Sequence, residues 1–128
     1  MIRFSSAFSR SFSVSCTGSI GGNAQAGDDV HCEGSIGGNA IASGDVSCGG
    51  DILGRAQAQG DVECRGGIRG DVRCDGDVDC TGDIGGNVTA GGDVDCTGAI
   101  HGNANAGGDI SCAEIQGAAS ARGDIQLG

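Results

Sequence analysis

Residues 76–91 have the sequence GDVDCTGDIGGNVTAG, and variants of this 16-residue unit fill most of the chain. Even-numbered positions of the unit hold apolar residues or glycine, whereas most odd-numbered positions are polar. A period of two places side chains alternately on two faces, as in a β-strand, while a helix needs a period of about 3.6 residues. A fixed repeat of this length predicts a stack of one structural unit instead of a conventional globular core.

Seven of the eight cysteines lie 16 residues apart and follow this repeat. Buried thiols of this kind behave as small apolar side chains. The eighth cysteine, Cys74, takes a position that alanine fills in the other units. No CxxC pair is present, so we expect no metal site and no cofactor, and disulfides or a metal between adjacent coils stay the alternative to packing. We therefore predict one inward-facing core column, made of Cys16, Cys32, Cys48, Cys64, Cys80, Cys96 and Cys112.

Three columns of glycine, which include Gly34, Gly38 and Gly44, divide each unit into three pieces. Glycine permits the backbone angles of a corner, and the Asp or Asn that follows it supports a turn. The sequence thus predicts an all-β fold, a single-stranded β-solenoid (β-helix) of about seven 16-residue coils with three corners. The repeat domain spans residues 13–128, and residues 1–12 form a separate N-terminal tail or cap.

Near the C-terminus the repeat shortens by one residue between Cys112 and Gly117, which brings Leu127 into the cysteine column. The last coil is then incomplete and leaves a strand edge that another chain can extend. The chain has no proline and no lysine, two residues that commonly block such edges. We expect the terminal coils to expose inward apolar residues and predict a polymer interface at Val14, Cys16, Ile125 and Leu127.

Residues 1–12 contain all three phenylalanines and two arginines, but no acidic residue. Phe4, Phe8 and Phe12 are four residues apart, as on one face of a helix, although their even numbers also suit the strand pattern. Three interpretations stay open: an apolar cap on the first coil, a membrane-surface anchor, and an organelle transit peptide. In the first two, the contact residues would be Ile2, Phe4, Phe8 and Phe12.

An unbroken column of outward aspartates follows the third glycine column. The ordinary interpretation is that each carboxylate caps the amides of its own turn, and the alternative is a ladder of cations such as calcium. The column consists of Asp29, Asp45, Asp61, Asp77, Asp93 and Asp109. A second column predicts an amide ladder at another turn and consists of Asn23, Asn39, Asn87 and Asn103.

The remaining charged residues indicate no chemistry. His31 and His101 lie in different columns, and no Ser-His-acid set is present, so we predict no catalytic residues and no enzyme. A net charge of -10 with 2% aromatic residues argues against nucleic acid, and the lack of a phosphate loop against nucleotide. A band of arginines relieves nearby acidic charge or docks an acidic partner; it consists of Arg55, Arg65, Arg69 and Arg73.

Runs such as residues 86–94 (GNVTAGGDV) and 38–46 (GNAIASGDV) resemble the repeats of bactofilins and related polymer-forming proteins. The resemblance covers residues 13–128. It implies a right-handed β-helix that polymerises without nucleotide into non-polar filaments, and a short N-terminal tail that can touch membranes. The chain departs from the family in its strict 16-residue period and in its cysteine and alanine columns, which replace larger aliphatic residues.

The expected function is therefore structural: end-to-end assembly with copies of itself into a cytoskeletal scaffold, in the cytoplasm or at a membrane surface. The alternative is a monomeric β-solenoid that binds a surface or cations, such as ice or calcium, through an outward ladder of residues. The outward column beside the cysteines includes Thr17, Glu33, Gly49 and Arg65, which is too mixed for a regular lattice.

Overall fold

The structure, a computed structural model, describes the backbone of residues 3–4 and 7–9 and all of residues 13–128. These residues form short parallel strands joined by turns, and none of them is helical. The strands are β1 (Arg3–Phe4), β2 (Ala7–Ser9), β3 (Val14–Cys16), β4 (Ser19–Ile20), β5 (Ala24–Ala26), β6 (Val30–Cys32), β7 (Ala40–Ala42), β8 (Val46–Cys48), β9 (Ala56–Ala58), β10 (Val62–Cys64), β11 (Val72–Cys74), β12 (Val78–Cys80), β13 (Val88–Ala90), β14 (Val94–Ile100), β15 (Ala104–Ala106), β16 (Ile110–Ile115), β17 (Ala119–Ala121) and β18 (Ile125–Leu127).

Three walls surround the interior. The cysteine wall is an 8-stranded parallel sheet in the order β18-β16-β14-β12-β10-β8-β6-β3. The alanine wall is a second 8-stranded sheet in the order β17-β15-β13-β11-β9-β7-β5-β2. The isoleucine wall is narrower: β1 pairs with β4, and single bridges then join the isoleucines of successive coils from Ile20 to Ile100. The prediction of an all-β solenoid of about seven 16-residue coils is confirmed.

Successive coils stack in register, so each residue lies beside its equivalent 16 positions away. Cys64, for example, is paired with Cys48 on one side and with Cys80 on the other. Cys74 lies in the alanine wall, between Ala58 and Ala90, as its place in the repeat predicts. The shortened last coil pairs Cys112 with Leu127, which confirms the predicted shift near the C-terminus.

The core is a thin column of small and medium-sized apolar side chains. Each complete coil contributes the inward residues of its three walls, and all seven column cysteines are buried. No buried side chain within residues 13–128 is polar or charged. Because one coil has almost no interior of its own, the core exists only through the stacking of neighbouring coils.

Glycine occurs at the corners for a different reason from the one we predicted. Within the described residues, only Gly128 has a positive φ, at 109°, so the corners do not use left-handed backbone. A Cβ on Gly44 would instead collide with the carboxylate of Asp29 in the preceding coil. Glycine is needed because the neighbouring coil's side chain occupies that space.

The first residues pair with the solenoid instead of forming a separate helix. Strand β1 places Arg3 and Phe4 beside Ser19 and Ile20. Strand β2 is shifted by one residue relative to the repeat, so that Phe8 lies beside Gln25. The helical interpretation is therefore wrong for residues 3–4 and 7–9, whose backbone adds one rung to two of the walls.

Candidate functional site: the two ends of the solenoid

Each corner is held by a ladder of hydrogen bonds between side chains and backbone. In the aspartate ladder, Oδ1 of each aspartate accepts a hydrogen bond of 2.8 Å from the N–H of the equivalent residue in the next coil. The ladder runs from Asp29 to Asp124. Our expectation that each carboxylate caps its own turn was wrong, because the next coil brings an unpaired amide closer.

The other two corners carry similar but interrupted ladders. The asparagine column acts as predicted, and Oδ1 of Asn23 accepts the N–H of Asn39 at 2.8 Å. A third column, which we did not single out from the sequence, lies between the cysteine and isoleucine walls. There the Oγ of Ser19 accepts the N–H of Ser35 at 3.1 Å, and Oδ1 of Asp51 accepts that of Gly67 at 2.8 Å.

These ladders leave little support for a cation site on the aspartates. One carboxylate oxygen of each aspartate is already used by a backbone amide, and the carboxylates face solvent at the corner. In the part of the chain that the structure describes, no three His, Cys, Asp or Glu side chains are arranged to hold a metal ion. The calcium alternative therefore has no geometry in its favour.

The predicted cysteine column lies inside the cysteine wall, and its thiols are buried and form no disulfides. From Cys32 to Cys96, each Sγ donates to the carbonyl oxygen of a corner glycine in the preceding coil, at 3.2–3.3 Å. Cys48 donates to Gly34 in this way. The column is thus an apolar packing element with a polar partner for these thiols.

The pKa values of the cysteine thiols shift in both directions. Burial raises the pKa of Cys32 and Cys112, and that of Cys74 to about 11. Within the column, hydrogen bonding to the Cys64 thiol, together with burial, raises the pKa of Cys48 and Cys80 as well. Hydrogen bonding to Cys48 and Cys80 lowers the pKa of Cys64, and hydrogen bonding to Cys80 lowers that of Cys96. The thiols whose pKa is raised stay protonated, and protonated buried thiols are poor nucleophiles and poor metal ligands, so their positions are suited to packing.

Two of the three exposed large apolar side chains in residues 13–128 lie at the C-terminal end. Ile125 is 43% exposed and Leu127 is 52% exposed, although both belong to inward columns. No strand lies beyond β17 or β18 in the described structure, so their outer backbone edges are unpaired. Asp124, at the top of the aspartate ladder, has no following coil to supply an amide. The predicted interface residues Ile125 and Leu127 therefore lie together on one open face.

The N-terminal end differs from our expectation. Val14 is only 8% exposed and Cys16 only 2%, so the prediction that the first coil exposes them was wrong. The reason is that β1 and β2 extend the other two walls one rung beyond this coil, which places both side chains inside the end. What the end presents in the cysteine wall is the backbone edge of β3, which pairs only with β6 among the described strands.

The predicted cap or membrane residues are only partly covered by the structure. Ile2 and Phe12 lie outside the described residues, as do the side chains of Phe4 and Phe8. The cap, anchor and transit-peptide interpretations stay predictions. Among the described residues, no helix has the length and apolar character needed to cross a membrane.

The remaining candidates lie on the surface, where His31 lines a groove with Arg65, and His101 lines another with Arg69. His31 and His101 are exposed, as are all four arginines of the mid-rod band. Arg65 lines a shallow groove of about 320 Å³ together with Glu33 and Glu63, where Gly49 leaves a gap in the outer face of the cysteine wall. The two glutamates in this groove favour charge relief over the docking of an acidic partner.

Comparisons with protein-family models, curated proteins and solved structures find no match to this chain.

Proposed function

We propose that this protein is structural and assembles end to end with copies of itself into nucleotide-independent filaments that act as a cytoskeletal scaffold. The observation that carries the proposal is the open C-terminal end, where Ile125 and Leu127 are exposed on the edge of an 8-stranded parallel sheet. Natural proteins normally block such edges, because an unpaired strand recruits another chain. A second copy covers the apolar face and pairs the backbone edge in one step.

The composition of the end supports the same function. Neither proline nor lysine, which commonly protect edge strands, occurs anywhere in the chain. The core is also thin, so each added coil stabilises its neighbour, as in other solenoids. The resemblance of the repeats to bactofilins supports filament formation, and membership of that family is part of the proposal.

Sedimentation velocity over a range of concentrations, with negative-stain microscopy of the same samples, tests the proposal. We expect the wild type to form rods whose length grows with concentration, without added nucleotide. Leu127→Lys should shorten or abolish them, because it places a charge on the apolar end face. Leu53→Lys is the matched control, since Leu53 is 42% exposed but lies on the side of the rod.

A wild type that stays monomeric at high concentration would overturn the proposal and favour the monomeric surface-binding alternative. Equal loss of assembly in Leu53→Lys and Leu127→Lys would also overturn it, because contacts along the side of the rod would then hold the copies together. Circular dichroism of both variants should show the wild-type β signal, since neither substitution touches the buried core.

A further inference from the structure

The two ends of the solenoid have matching edges. The cysteine and alanine walls have 8 strands each. The isoleucine wall also has eight rungs, from Phe4 in β1, through the bridged isoleucines, to Ile115 in β16. Each end therefore offers one edge per wall. From the proposed end-to-end assembly, on which this inference rests, we infer that copies stack head to tail into a polar filament, in contrast to the non-polar filaments that the resemblance to bactofilins implies.

The path of the chain is the first argument. The last strand, β18, lies in the cysteine wall, and the next element of a continuing coil would lie in the isoleucine wall. The first described strand of the chain, β1, lies in that wall, and β2 and β3 follow in the alanine and cysteine walls. A second copy placed on the C-terminal end thus continues all three walls, with its β1 beside Ile115, β2 on β17 and β3 on β18.

The aspartate ladder is the second argument, because it has a direction. Its acceptor always belongs to the earlier coil and its N–H donor to the later one. At the C-terminal end, the last member of the ladder is Asp124, whose exposed carboxylate is a hydrogen-bond acceptor. At the other end the equivalent position is Ser13, whose Oγ accepts the N–H of Asp29 at 3.3 Å. In a head-to-tail stack, the N–H of Ser13 of the second copy donates to Asp124.

The backbone edges match in the same way. The N–H of Val14 donates to the carbonyl oxygen of Asp29 at 2.9 Å, so this N–H points toward the second coil. Alternation along a strand turns the N–H of Ser15 to the opposite, open side. By the register of the cysteine column, Val14 and Cys16 of the second copy then lie beside Ile125 and Leu127. Parallel pairing and the inward columns both continue across the junction.

The aspartate ladder disfavours the junction of two C-terminal ends. Both copies would present the acceptor Asp124 there, and neither would supply the N–H of a following coil.

Variants blocked at one end decide the polarity. The C-blocked variant is Leu127→Lys. The N-blocked variant is Ser15→Pro, which removes an N–H at the open edge of β3, where proline is tolerated. A second pair, with a folded domain fused to Met1 or to Gly128, blocks each end without changing a residue. Circular dichroism confirms that each protein keeps its β structure, and analytical ultracentrifugation measures its mass.

We expect the wild type to polymerise, each blocked variant to be monomeric alone, and an equimolar mixture of the two to form a dimer of twice the mass. Blocked variants that dimerise alone, with no further growth on mixing, would overturn head-to-tail stacking while leaving end-to-end assembly intact. A monomeric wild type would overturn both. In filament images, the axial repeat should be about 38 Å, which is eight rungs at about 4.8 Å each.

Discussion

A double-mutant cycle at one corner, with Gly92→Ala and Asp77→Ala, tests the explanation of the repeat's glycines. Oδ1 of Asp77 accepts the N–H of Asp93 at 2.8 Å, and a Cβ on Gly92 would collide with that oxygen. The next obstacle, the carbonyl oxygen of Gly76, lies at 3.2 Å from the Cβ position and needs only a small adjustment. The two substitutions should therefore break the same hydrogen bond.

The magnitude follows from that bond. Hydrogen bonds to charged groups contribute about 1.5–3 kcal/mol, and the exposure of Asp77 reduces the value to about 1–1.5 kcal/mol. Asp77→Ala should cost this much in the free energy of unfolding. Gly92→Ala should cost about 1–2 kcal/mol, since it also crowds Gly76 but gains from a less flexible unfolded chain. The double variant should cost no more than Gly92→Ala alone, a coupling of about 1–1.5 kcal/mol.

Urea unfolding followed by circular dichroism measures these values, on a Leu127→Lys background so that assembly does not contribute. Asp79→Ala is the control, because Asp79 is exposed on the neighbouring strand and carries the same charge. Asp79→Ala should change the free energy of unfolding by no more than about 0.5 kcal/mol, and this change should add to that of Gly92→Ala. Strict additivity of Gly92→Ala and Asp77→Ala would refute the steric explanation. The chain already holds one such exception, since Asp28 occupies the glycine column where the preceding coil has Ser13 instead of an aspartate.

Three further outcomes are expected. Burial raises the pKa of Cys74 from 9.0 to about 11, so unfolding releases a proton from this thiol in that pH range. The free energy of unfolding should therefore fall as the pH rises from about 9 to 11. Cys74→Ala, which matches Ala58 and Ala90, should reduce this slope in urea titrations at several pH values. Neither reductant nor chelator should lower the melting temperature of the wild type, since its cysteines form no disulfides, and a drop would reveal a disulfide or a metal. Deletion of residues 1–12 should leave the β signal of the remaining coils in circular dichroism, because β3 to β18 all lie after these residues. Collapse of that signal would mean that the deleted residues nucleate the stack.

The sequence alone was enough to predict the architecture. The alternation of apolar and polar residues is a property of each strand, and the 16-residue period states how far apart stacked residues lie. Together they identified the inward columns, the place of Cys74 in the alanine wall and the shift that brings Leu127 beside Cys112. They also identified Ile125 and Leu127 as residues of an incomplete coil, which the structure leaves exposed.

What the sequence could not decide is how one coil meets the next. Whether Asp29 caps its own turn or the amide of Asp45 depends on distances between coils, which only the tertiary structure sets. The same spacing explains why Gly44 must lack a side chain although its backbone is ordinary. The burial of Val14 and Cys16 was also out of reach, because it depends on short strands in residues 1–12 that do not follow the repeat. Local patterns determine which face a residue occupies, whereas contacts between coils determine what it touches there.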